Sequence, residues 1–164
     1  MRKLFAAIAV LFVAAVVLQF YFAAMGVFSV PEEHLFTIHQ VNGAVVLRTL
    51  ALLLLISAAL ARAGKTNIWM SAAAFLLVLL QTVLFIVAGS IFGVGPESPS
   101  IPIAATIVVS FHALIGLTIL GISVDVARRA VLLARRGETG APARVDAGSQ
   151  RRDAARSDGS PASP

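Results

Sequence analysis

The chain has 164 residues, of which 59% are hydrophobic and only 13% charged, with a formal net charge of +5. Soluble domains carry about 25% charged residues, so this deficit, together with a mean hydropathy of +0.92, predicts a membrane protein. The absence of cysteine excludes disulfides, thiolate zinc sites, iron–sulfur clusters and a thiol nucleophile. Nucleic acid is not a predicted partner, because the basic residues flank apolar segments and form no basic run interleaved with aromatic residues.

Four apolar segments reach the length of about 20 residues that a membrane-spanning helix needs. In chain order they cover about 4–28, 35–61, 68–92 and 101–127. The connections are short and contain turn-forming residues, so consecutive helices should be antiparallel. We therefore predict an all-α fold, a four-helix transmembrane bundle over residues 1–136. Residues 137–164 have the composition of a disordered tail.

The distribution of Lys and Arg predicts the orientation in the membrane. Basic residues occur at the N-terminus, in the middle connection and after the fourth segment, whereas the other two connections carry only Glu32, Glu33 and Glu97. The positive-inside rule then predicts that both termini lie on the cytoplasmic side of a bacterial plasma membrane. A cleaved signal peptide is the alternative for the first segment, but the apolar stretch is longer than a signal core. Contact with anionic lipids is predicted near Arg128, Arg129, Arg135 and Arg136.

An internal repeat relates the second and fourth segments. His39 and Gly43 in one, and His112 and Gly116 in the other, both follow the pattern H-x-x-x-G, with an offset of 73 residues. We therefore predict a tandem duplication of a helical hairpin.

A weaker similarity relates the first and third segments through Gln19 and Gln81. Each Gln lies 16 residues from a basic residue near the cytoplasmic boundary, and each His of the repeat lies 23 residues from one. At a rise of about 1.5 Å per residue, the two Gln and the two His should share one layer in the outer half of the bundle.

Two histidines that face each other inside a bundle can bind the iron of haem b axially. Their coordinating nitrogens should then lie about 4 Å apart, twice an imidazole–metal bond of about 2 Å. The glycines would leave room for a flat ring, and the glutamines would bond the second nitrogen of each imidazole. The predicted metal ligands are His39 and His112, and the other predicted cofactor-binding residues are Gly43, Gly116, Gln19 and Gln81.

With one His in its second helix and one in its fourth, the membrane part of the chain resembles one half of the haem A synthase family. The second helix of that family resembles E-x-x-H-R, and the matching segment here is Phe36-Thr37-Ile38-His39-Gln40. Only His39 of this motif carries over, so the resemblance implies a haem-binding fold rather than haem A synthesis. The whole chain also resembles small uncharacterised four-span proteins of high-GC bacteria, a resemblance that implies no activity.

Two charged residues lie within the apolar segments. Arg48 is 14 residues from Arg62, so roughly 21 Å from the boundary, and Asp125 is the acid that could pair with it by depth. On a helical wheel, however, Arg48 lies about 180° from His39. If the histidines converge, Arg48 should face outward and meet a second copy of the chain or another membrane partner. If Arg48 faces inward, the histidines are less suited to converge.

The alternative to cofactor binding is a structural or interaction subunit of a membrane complex. Polar side chains in membrane helices often form interhelical hydrogen bonds that fix helix register. No nucleotide-binding glycine pattern, zinc-binding motif or catalytic acid–base pair is present, so no enzymatic activity is predicted. A dimeric small-molecule exporter is disfavoured because the first segment contains no acidic residue.

Overall fold

Residues 1–95, 98 and 100–139 are described by the computed structural model. Their long elements are helix 1 (Arg2–Phe28), helix 2 (Phe36–Leu60), helix 3 (Lys65–Phe92) and helix 4 (Ile103–Thr139). A short 3-10 helix, Pro31–Glu33, precedes helix 2. The described part contains no strand, and all four long helices are long and apolar enough to cross a membrane. The predicted all-α four-helix fold is thus confirmed, while most of the predicted tail, 140–164, lies outside the described residues.

Glycine sets both ends of helix 3. Gly64, with a φ of 90°, immediately precedes the helix, and Gly93, with a φ of 63°, follows it in the left-handed conformation. The amide of Val94 donates to the carbonyl of Gly89 at 3.2 Å, which satisfies a carbonyl of the last turn. Helix 4 continues past its predicted end near 127 to Thr139, because the intervening Ala, Leu and Arg residues strongly favour helix.

The four helices form a closed square in which each packs against two others. Helix 1 contacts helices 2 and 4, and helix 3 contacts the same two. Helices 1 and 3 therefore lie on one diagonal of the bundle, and helices 2 and 4 on the other. This arrangement places the two glutamine-bearing helices opposite each other, and likewise the two histidine-bearing helices.

The outer surface of the bundle is apolar on all sides. In the most apolar windows of helices 3 and 4 only 11% of residues are buried within the protein. Leu76, Ile86 and Trp69 are among the large side chains left exposed. Water would penalise an apolar surface of this extent, whereas lipid would not. The fold therefore fits a multi-pass membrane protein.

The tightly packed core occupies one half of the bundle, the half that also carries Arg2, Arg62 and Lys65, here called the basic end. Phe5, Phe12, Leu54 and Val126 are completely buried there. Around them lie small residues that let the helix backbones approach closely, namely Ala9, Ala51, Ala58, Ala74 and Ala130. The opposite half is packed more openly and contains a cavity of about 600 Å³.

Gly26 allows the first hairpin to close. A Cβ atom placed there would lie 2.9 Å from the Cα of Phe36, the first residue of helix 2. Because a backbone atom cannot move aside as a flexible side chain can, Gly26→Ala should destabilise the protein by about 1–3 kcal/mol. Thermal unfolding in detergent measures this as a lower Tm. Gly121→Ala is the matched control, since its Cβ would meet no atom within 4 Å, and an equal loss of Tm in both variants would contradict the role given to Gly26.

Candidate functional site

A cavity of about 600 Å³ lies in the half of the bundle away from the basic end. This volume is within the range of about 300–1,000 Å³ typical of ligand-binding pockets. All four helices contribute to its walls, which are mainly apolar. The cavity brings together all of the site residues predicted from the sequence, namely Gln19, His39, Gly43, Gln81, His112 and Gly116.

The two predicted histidine ligands converge across the diagonal between helices 2 and 4. The ring centroids of His39 and His112 are 6.0 Å apart, with an angle of 74° between the ring planes. Each imidazole also contacts a phenylalanine: Phe36 lies 5.0 Å from His39, and Phe85 lies 5.0 Å from His112, between centroids.

Hydrogen bonds to Gln19 fix the orientation of His39. Its Nδ1 donates to the backbone carbonyl of Gln19 at 3.0 Å, since a carbonyl can only accept. In the neutral ring Nε2 is then an acceptor, and the side-chain amide of Gln19 donates to it at 3.2 Å. The same amide donates to the backbone carbonyl of His39 at 3.1 Å. The backbone of Gln19, and not its side chain as the sequence suggested, accepts the proton of the second imidazole nitrogen.

Asn42 and Gly43 hold Gln19 in this position. The Asn42 amide donates to Gln19 Oε1 at 2.7 Å and to the carbonyl of Ala15 at 3.1 Å. A Cβ atom at Gly43 would lie 2.8 Å from Gln19 Nε2. The space beside Gly43 is therefore taken by the Gln19 amide, and the prediction that it would accommodate a flat ring is wrong for this glycine. The role of Asn42 was not predicted from the sequence, although an Asn-Gly pair inside an apolar helix is an unusual signal.

The second half of the site is built differently. His112 Nδ1 is buried without a hydrogen-bond partner in the described part of the chain. Gln81 lines the cavity, but no hydrogen bond joins it to His112. A Cβ atom at Gly116 would lie 3.3 Å from the ring of Phe20 and 3.9 Å from Gln81 Nε2. The polar groups of Gln19 and His39 are thus hydrogen-bonded to one another and to Asn42. His112 and Gln81, in contrast, present to the cavity polar groups that are unpaired among the described residues.

A π-helical segment, Asn42–Leu47, interrupts helix 2 between His39 and Arg48. In a regular α-helix these two residues would lie about 180° apart, at about 100° per residue. A π turn takes up one additional residue and so turns the following residues back by about 100°. The helical-wheel prediction that Arg48 points away from converging histidines is therefore wrong. Arg48 lines the same cavity as His39 and His112, and the two alternatives drawn from the sequence are compatible.

Arg48 reaches across to helix 3 and makes no ion pair among the described residues. Its Nη2 donates to the hydroxyl of Thr82 at 2.6 Å, while its Nε is buried without a partner. Asp125 instead accepts from Arg129 at 2.9 Å, one turn along helix 4, so the pair with Arg48 that depth allowed does not form. Among the described residues that line the cavity, Arg48 is the only charged one. Because it faces inward, it offers no support for an oligomer through an Arg48 face.

The comparisons with known proteins give one partial match to a family model and no activity. The model of a family of unknown function, DUF6220, matches residues 19–89. The match begins at Gln19 and includes His39, Asn42, Arg48 and Gln81, but it ends before His112 and covers less than half of the chain. No curated protein and no solved structure matches the chain.

The donor set of the cavity restricts which metal centres it could hold. Among the described residues no three His, Cys, Asp or Glu side chains lie close enough together to bind a metal ion. A bare zinc ion takes three or four protein ligands. The two imidazoles alone would not complete such a site, so the remaining metal ligands would have to come from the bound group itself.

The clamp on Gln19 can be tested through Asn42. Asn42→Leu keeps a similar side-chain size but leaves Gln19 Oε1 and the Ala15 carbonyl without their donor. We expect a loss of about 1–3 kcal/mol in the free energy of unfolding, measured by denaturant or thermal unfolding in detergent. Gln40→Leu is the control, since Gln40 is an exposed residue of the same helix and its replacement should change stability little. Equal stability of both variants and the wild type would contradict the clamp.

Proposed function

We propose that this protein binds haem b in the cavity, with His39 and His112 as axial ligands. The observation that carries the proposal is the convergence of the two imidazoles to 6.0 Å from opposite helices, inside a cavity of about 600 Å³. In a pair of histidines that bind one iron, the two coordinating nitrogens are about 4 Å apart. The centroids of the two rings lie farther apart than the nitrogens, so a centroid distance of 6.0 Å suits such a pair. When bound, haem iron would supply one-electron redox chemistry, and the chain would act as a redox or redox-accessory protein rather than as an enzyme.

The environment of His39 fits the role of a ligand. Metal-binding histidines almost always donate their other ring nitrogen to a carbonyl, carboxylate or water. Nδ1 of His39 makes this bond to the carbonyl of Gln19, so its Nε2 carries the lone pair. To bind a metal, Nε2 has to exchange the Gln19 amide at 3.2 Å. That amide keeps its second bond, to the carbonyl of His39, which limits the cost of the exchange.

The test is purification in detergent from haem-replete cells, followed by absorption spectroscopy. We expect a Soret band in the wild type and its loss in both His39→Ala and His112→Ala. His34→Asn is the matched control, because His34 lies in the connection before helix 2, with a φ of 51° that Asn tolerates. A colourless protein that also fails to take up added haem would refute the proposal, and so would a Soret band that survives both alanine variants.

A structural role without a cofactor is the second candidate, and the saturation of His39 favours it. Both ring nitrogens of His39 already bond Gln19, and Asn42 completes the network. Such a layer fixes the register of helices 1 and 2, at about 0.6–2 kcal/mol for each interhelical hydrogen bond. Under this proposal the chain is a scaffold or subunit of a membrane complex, and the protein purified for the haem test stays colourless.

We also propose that both termini lie on the cytoplasmic side of a bacterial plasma membrane. The basic end carries Lys65 and exposed Arg62, and the arginines of helix 4, with Arg128 and Arg135 exposed, extend from the same end. The positive-inside rule supports this orientation. The same arginines are suited to attract anionic lipid headgroups, at about 1 kcal/mol for each basic residue near the surface.

The orientation can be measured cleanly because the chain contains no cysteine. In intact cells a membrane-impermeant maleimide should label Glu33→Cys, at the 3-10 helix, and should not label Thr66→Cys, at the start of helix 3. Both positions are exposed in the fold, and Thr66→Cys should become labelled once the cells are lysed. The reverse pattern would show that the protein is inserted the other way round.

A tandem duplication remains our proposal for the origin of the bundle. The proposal rests on the repeated H-x-x-x-G pattern of His39 and His112, since any up-and-down bundle places helices 1 and 3 on one diagonal and helices 2 and 4 on the other. The π segment of helix 2 and the bonds of Gln19 have no counterpart in the described second half, so the two copies would have diverged. The resemblance to one half of the haem A synthase family rests on the same two histidines, so the absorption test of the haem proposal also tests it. We also propose that the chain is related to small four-span proteins of high-GC bacteria.

A further inference from the structure

Arg48 is a positive charge for which the described part of the protein provides no negative partner. The side chain lines the cavity, its one hydrogen bond goes to the neutral hydroxyl of Thr82 at 2.6 Å, and its Nε is buried and unpaired. Arg48 lies 14 residues from Arg62 along helix 2, roughly 21 Å from the boundary, which is too deep for easy contact with headgroups. A charge in this position is costly unless something else neutralises it.

The described lining of the cavity offers nothing that could neutralise Arg48. Among the described residues, none that lines it is an Asp or a Glu. Asp125 is engaged with Arg129 at 2.9 Å, and both side chains are more than 40% exposed, so this carboxylate is neither free nor near. Within the described residues, therefore, no carboxylate neutralises Arg48, and a molecule that enters the cavity could supply the negative charge.

We propose that Arg48 and Thr82 form a binding site for the carboxylate of an amphiphilic molecule whose apolar body occupies the cavity. A single guanidinium suits a monoanion, and its planar fork matches the geometry of a carboxylate. The hydroxyl of Thr82 holds the guanidinium in place, and the amide of Gln81, on the same helix and also lining the cavity, is a further donor.

The size and shape of the cavity restrict the body of this ligand. Arg48 comes nine residues after His39, roughly 13 Å along the helix. Both residues line the same cavity. Phe20, Val78 and Ile119 contribute apolar surface to it. A carboxylate on an apolar body of this length has two sources, a long-chain fatty acid or a propionate of haem. The site goes beyond the haem proposal, because it depends on Arg48 and Thr82 rather than on the histidines.

The experiment compares acids with their neutral esters on protein purified in a non-ionic detergent. Oleate is compared with methyl oleate, and haem with haem dimethyl ester, by equilibrium binding to the wild type and to Arg48→Gln. We expect an acid of at least one pair to bind about tenfold or more tightly than its ester, and this preference to fall to about one in Arg48→Gln. Arg128→Gln, which removes an exposed arginine outside the cavity, should keep the preference.

Each outcome of the binding experiment either supports or overturns the proposed carboxylate site. A preference for oleate alone identifies a free amphiphile as the ligand, and it stands whether or not a Soret band is found. A preference for haem alone identifies the propionate. Equal binding of acid and ester in both pairs overturns the proposal, as does a preference that survives in Arg48→Gln or that disappears in Arg128→Gln.

A second variant keeps the proposal testable if Arg48→Gln does not fold, as judged by size-exclusion chromatography and thermal unfolding. Thr82→Val leaves the charge in place but removes the hydroxyl that orients Arg48. We expect it to weaken binding of the acid severalfold and to leave binding of the ester unchanged. An unchanged affinity for the acid in this variant would count against the site.

Discussion

The hydrogen bonds between Gln19 and helix 2 are the interaction on which the structure of the half of the bundle away from the basic end depends. Gln19 bonds His39 through both its backbone carbonyl and its side-chain amide, and it accepts from Asn42. Inside a bilayer no water competes for these groups, so each one that is left unpaired would cost several kcal/mol. The network therefore fixes where helix 1 meets helix 2, and in doing so it fixes the orientation of the His39 ring.

The same network accounts for the π segment. The first residues of this segment, Asn42 and Gly43, are the two that hold Gln19, one by hydrogen bonds and the other by lacking a Cβ atom. The Gln19 amide also donates to the carbonyl of His39, just before the segment. Side chains that insert beside a helix ladder are a known cause of such irregularities, and π segments are frequent at functional sites. Here the π segment rotates Arg48 into the cavity that His39 already faces.

Much of the fold could be predicted from the sequence because bilayer physics leaves few choices. Apolar segments of spanning length must be helical, and short connections between them make neighbours antiparallel. The six predicted site residues do line one cavity, since the shared depth of Gln19, Gln81, His39 and His112 could be counted from flanking basic residues. The role of Arg48 could not be predicted, because a wheel drawn at a constant angle per residue has no place for a π turn. The asymmetry between Gln19 and Gln81 was equally hidden, since it depends on Asn42, which has no equivalent beside His112 in the pattern H-x-x-x-G.

The two ends of the bundle differ in a way that connects structure to function. At the basic end, small residues and fully buried Phe5 and Phe12 close the helices against one another, and close packing of this kind drives the association of helices in lipid. The other half is packed less closely. It keeps a cavity with an unpaired imidazole nitrogen on His112 and an unneutralised guanidinium on Arg48. Replacing buried charged groups with well-packed apolar residues is often neutral or stabilising, so a purely structural layer has no need of either group. Their presence in the same cavity is the strongest physical argument that this cavity binds a ligand.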